Sequence, residues 1–64
     1  MDKLIEVVVD ELRQRKSFVS DSLAMGHAKD YSEYRAMCGE IRGYSLIEDY
    51  IIDLAKRMEQ SDDD

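Results

Sequence analysis

The run Lys29 to Tyr44, K-D-Y-S-E-Y-R-A-M-C-G-E-I-R-G-Y, constrains this chain most, because it holds a helix start and two glycines one helical turn apart. Asp30 is placed to cap a helix: its carboxylate can accept early backbone N–H groups, and Glu33, three residues on, can reach back to complete a capping box. The spacing predicts a helix from Tyr31. Upstream, Gly26 follows the apolar run Leu23-Ala24-Met25, at the place where a left-handed residue ends a helix. Residues 26–30 then connect one helix over residues 3–25 to a second over residues 31–59. The expected fold is all-α: an antiparallel two-helix hairpin as a single domain over residues 1–60, with an acidic tail at 61–64. Gly39 and Gly43 expose bare backbone on one face of the second helix, and each is roughly 1 kcal/mol less favourable there than alanine. Close packing of another helix is the expected compensation.

Apolar residues in the first helix recur at Leu4, Ile5, Val8, Val9, Leu12, Val19 and Leu23, mostly three or four apart, as one helix face requires. The β-branched run Val7-Val8-Val9 reads as helix too, since a lone strand has nothing to pair with. The stripe is interrupted at Arg15-Lys16-Ser17 and again at Ser20-Asp21-Ser22, where a bend is expected. In the second helix a heptad-like seam runs through Tyr34, Met37, Ile41, Tyr44, Ile51, Ala55 and Met58, with Glu48 alone breaking it. This seam is the expected oligomer interface. Leu46, Ile47, Tyr50, Ile52 and Leu54 widen the apolar surface beyond one stripe, so the helix should meet more than one neighbour. Pairing the helices about residues 26–30 sets Leu23 opposite Tyr34, Val19 opposite Cys38, Leu12 opposite Ser45 and Leu4 opposite Leu54. It also sets Asp2, Glu6 and Asp10 beside Lys56 and Arg57.

A chain of 64 residues buries only about 60% of its unfolded surface. One cysteine cannot form an internal disulfide, and no Cys/His cluster offers a structural metal, so oligomerisation is the remaining staple. A dimer forming a four-helix bundle is expected, with higher oligomers as the alternative.

The net charge of −6 argues against generic binding to nucleic acid or anionic membranes. No apolar run approaches the roughly 18 residues needed to span a bilayer, and acids interrupt the N-terminus where a secretory signal would lie. A soluble protein made in a reducing cytoplasm is expected. Arg13, Arg15 and Lys16 form the densest basic cluster, and with Arg42 they could make an anion belt, although Glu11 and Glu40 are near enough to neutralise it. Cys38 reads as a small buried hydrophobe and His27 as an exposed turn residue. The tyrosines and Phe18 read as packing anchors. No nucleophile, acid–base pair, phosphate loop or ligand set can be assembled, so the expectation is a protein that is not an enzyme and takes no cofactor.

The stretch Lys29 to Tyr44, followed by I-I-D-L-A-K-R-M-E, resembles a group of very short proteins encoded by tailed bacteriophages, with Tyr34, Gly39, Ile41 and Gly43 carrying the likeness. The resemblance implies a protein of the host cytoplasm, with the virion as the alternative location, that works by protein–protein contact in virion assembly or as a head accessory. The alternatives are an acidic takeover factor that binds and inhibits a host protein, and a nucleic-acid-binding hairpin using the Arg13, Arg15, Lys16 and Arg42 belt.

Overall fold

The computed structural model describes residues 2–62, and over that span the chain is two helices, α1 (Lys3–Ala24) and α2 (Tyr31–Asp62), packed on each other as an antiparallel hairpin. α1 is uninterrupted through Val7–Val9 and through both polar interruptions of its stripe. Its start is fixed by Asp2, whose carboxylate accepts the Leu4 N–H at 2.8 Å. Its end is a Schellman turn: Gly26, at φ +78°, donates its N–H to the Leu23 carbonyl, and His27 donates to that of Ser22, both at 3.0 Å. The expected role of Gly26 is the observed one.

α2 starts where the capping residues require. The Asp30 carboxylate accepts the Glu33 N–H at 2.8 Å, and the Glu33 carboxylate reaches back to the N–H of Lys29 at 3.3 Å, one residue earlier than in the usual box. At its far end α2 continues to Asp62, beyond the expected stop at residue 59. Glu59 and Gln60 are good helix formers, and no glycine or proline intervenes to break the backbone ladder. Of the expected acidic tail, Asp63 and Asp64 lie outside the described residues.

Two helices share one line of contact, and the most buried apolar side chains along it are Val9, Val19 and Ala55, each still slightly exposed. The register differs from the expected one by about one helical turn. Lys16, not Leu12, meets Ser45, its Nζ donating to the serine Oγ at 3.3 Å, and Arg13 reaches Glu48 in the same register. The expected register is counted from the centre of the connection; the observed one brings the polar interruptions of the two helices together. Arg57 pairs with Asp53 on its own helix at 3.1 Å instead of with the first turn of α1.

Replacing Gly26 with alanine forces a left-handed Cβ conformation and should lower stability by about 1–2 kcal/mol, and Asp30→Ala by about 1 kcal/mol. Both are read from urea midpoints by circular dichroism at fixed protein concentration.

Candidate functional site

The surface available for function is what remains after the hairpin closes. From α1 the inner seam takes Ile5, Val9, Leu12, Lys16, Val19 and Leu23, alternately four and three apart, all buried or half-buried. From α2 it takes Cys38, Ile41, Ser45, Glu48, Ile52 and Ala55 with the same alternation. Two residues of the expected oligomer seam, Ile41 and Ala55, lie in it. Ile41 and Ala55 are committed to α1; Met37, Tyr44 and Ile51 are half-buried on its flank; Tyr34 and Met58 remain exposed. Periodicity alone could not tell which apolar stripe of α2 faces α1, because α2 carries two.

The polar residues of the inner seam are matched. Arg13 Nε donates to Glu48 Oε2 at 3.1 Å, with the glutamate side chain only 13% exposed and the arginine 59%. The neighbouring layer is Lys16 on Ser45. Glu48, which broke the heptad pattern in sequence, is thus the acceptor for a cation on the other helix.

These partnerships dissolve the expected anion belt. Arg13 serves Glu48, Lys16 serves Ser45, and Arg15 Nε lies 2.8 Å from Glu11 Oε2 on a different side of α1. Hydrogen bonding to Glu11, then its charge, then Tyr44 hold the Arg15 guanidinium more firmly protonated than usual. Arg42 stands apart on α2, exposed and in no ion pair among the described residues.

The two glycines of α2 face away from α1. A Cβ built on Gly39 or Gly43 would meet nothing within 4 Å, so neither serves close packing against α1. At about 100° per residue, both lie on the side of α2 turned away from α1. There Gly43, Ile47, Tyr50 and Leu54 form a second stripe, four and three apart, flanked by Leu46 and Met58. Ile47 is 50% exposed and Tyr50 61%. The continuous polar stripe left on α2 is narrow, formed by Arg35, Arg42, Asp49 and Lys56 at intervals of seven.

Near the turn, Tyr31 and Tyr34 stack with ring centres 6.2 Å apart, and the Arg35 guanidinium lies 5.9 Å from the Tyr31 ring centre while donating to its hydroxyl at 3.3 Å. Hydrogen bonding with Cys38 one turn on, then the charge of that group, push the Tyr34 phenol above its ordinary value. Cys38 itself is half-buried and in no disulfide, and His27 is exposed in the turn. Among the described residues no group of three or more His, Cys, Asp or Glu side chains is arranged to hold a metal ion, and no helix is long and apolar enough to cross a membrane.

Charge is uneven along the hairpin. In the register fixed by Arg13 and Glu48, residues 14–47 form the turn half, with five Lys/Arg and four Asp/Glu, a net +1. The remaining residues carry four Lys/Arg and eleven Asp/Glu, a net −7 that with the turn half's +1 gives the chain's −6. Comparison with protein-family models, characterised proteins and solved structures finds no match to this chain.

Because nothing crowds Gly39, Gly39→Ala should stabilise the hairpin by roughly 1 kcal/mol through helix propensity, seen as a higher urea midpoint. A double-mutant cycle with Arg13→Ala and Glu48→Ala should give a coupling of about 0.2–1 kcal/mol that shrinks in 1 M salt, given the exposed arginine.

Proposed function

We propose that this chain acts by protein–protein contact as an oligomer of small helical hairpins, and that it takes part in the assembly or structure of a phage particle. The observation that carries the contact reading is the outward face of α2: with α1 in place, Leu46, Ile47, Tyr50 and Met58 each keep half or more of their surface exposed. An apolar area of that kind on a small domain marks an interaction site. The particle context rests on the resemblance of the Lys29–Tyr44 stretch to short proteins of tailed phages. The charge polarity favours one second reading, in which the acidic half engages a basic face of a host protein.

Quantitative mass spectrometry of purified particles tests the first reading. The chain is expected at a fixed ratio to the major shell protein. Absence from both mature particles and assembly intermediates would sink the particle role. Capture of one host protein from infected cells, lost in high salt, would then favour the second reading.

A further inference from the structure

We propose that the outward stripe of α2 is a self-complementary seam, and that it pairs with the same stripe of a second copy running in the opposite direction. The proposal deepens the contact reading and rests on it, since it names the partner and the residues that meet.

The first support is the period. Gly43, Ile47, Tyr50 and Leu54 repeat the four–three alternation by which the inner seam of α2 packs on α1, and a second seam of this kind fits another helix. The corresponding outer side of α1 is a poor match, because Glu11, Gln14 and Asp21 interrupt Val7, Phe18 and Met25. The helix that suits the stripe is α2 of another copy. A helix with apolar residues around most of its girth belongs inside a bundle, and the Arg35, Arg42, Asp49, Lys56 stripe marks the side left in water.

The second support is area. The chain exposes 5207 Å², whereas a compact protein of 7.4 kDa exposes about 4,200 Å². Two separate copies expose twice 5207 Å², and a compact particle of double the mass about 7,000 Å². The difference, about 3,400 Å², is what two such elongated hairpins would have to bury to match a compact protein of their combined mass, so a lone hairpin leaves surface for a second copy.

The third support is charge, which selects the direction. A parallel pair would bring two halves of net −7 side by side, whereas an antiparallel pair sets each against a half of net +1. A two-fold axis between Ile47 and Tyr50 sets Ile47 against Tyr50 of the second copy and Gly43 against Leu54. Gly43 then receives a large side chain, which accounts for a bare backbone there that α1 does not use.

The full chain should sediment as a dimer at about 100 µM and dissociate on dilution. Ile47→Glu should weaken the dimer by about 30-fold or more. Should that variant unfold, cross-linking decides instead. In a Cys38→Ser background, Gly43→Cys chains mixed with Leu54→Cys chains should form a disulfide between the two kinds of chain under mild oxidation. A monomer at about 100 µM overturns the proposal. So does a dimer in which Leu54→Cys links to itself, which indicates parallel pairing, or one in which neither variant links, which indicates another face. The particle measurement is separable: a monomer present in particles sinks this pairing alone, and an antiparallel dimer absent from them sinks the particle role alone.

Discussion

Two helices can touch along only one line, and this geometric limit governs the rest of the molecule. With Val9, Val19 and Ala55 as its most buried apolar side chains, the hairpin has little apolar burial to set against the conformational entropy of ordering its residues. Local chemistry must therefore do more than usual. The turn is fixed by a glycine in the left-handed region on one side and a capping carboxylate on the other, so the chain reversal is set before the helices touch. The apolar surface that one partner helix cannot cover stays on the outside of α2 and shapes what the protein can do.

The matched polar layers illustrate how a weak interaction can decide a structure. An ion pair with one exposed member stabilises little, and Lys16 keeps its stem along the seam while its ammonium reaches Ser45. Their effect lies in what the alternative would leave. In the register counted from the centre of the connection, one turn away, Lys16 would face Ile41 and Glu48 would sit by Val9, each without its partner. Burying an unpaired charge is far more unfavourable than losing an apolar contact, so the polar residues choose between registers of similar apolar quality.

Features governed by residues close in sequence were legible without the structure: the two helices, the turn at Gly26, the cap at Asp30 and the continuity of Val7–Val9 within α1. Features that depend on which side of α2 faces α1 were not. Tyr34, Met37, Ile41, Tyr44, Ile51, Ala55 and Met58 form a real stripe, yet it straddles the inner seam and its flank, since a helix with two apolar sides gives one periodic signal. Arg13, Arg15 and Lys16 looked like one basic cluster because they are adjacent in sequence, while successive helical residues point about 100° apart. The clue to the true pairing was present: Glu48 interrupts one helix and Lys16 the other, and interruptions in two helices of a hairpin tend to answer each other.

The doubly fixed turn also sets the order in which the hairpin can form. Closing a short loop loses the least chain entropy, so the first contacts between the helices are those nearest residues 26–30, and pairing then proceeds outward toward the termini. Lys16 and Ser45, followed by Arg13 and Glu48, are met partway along that path. A chain that has begun to zip one turn out of step reaches these residues with its charges facing apolar side chains and must reopen. The polar layers thus penalise a slipped pairing at the middle of the hairpin, where a mismatch would leave Lys16 and Glu48 without their partners.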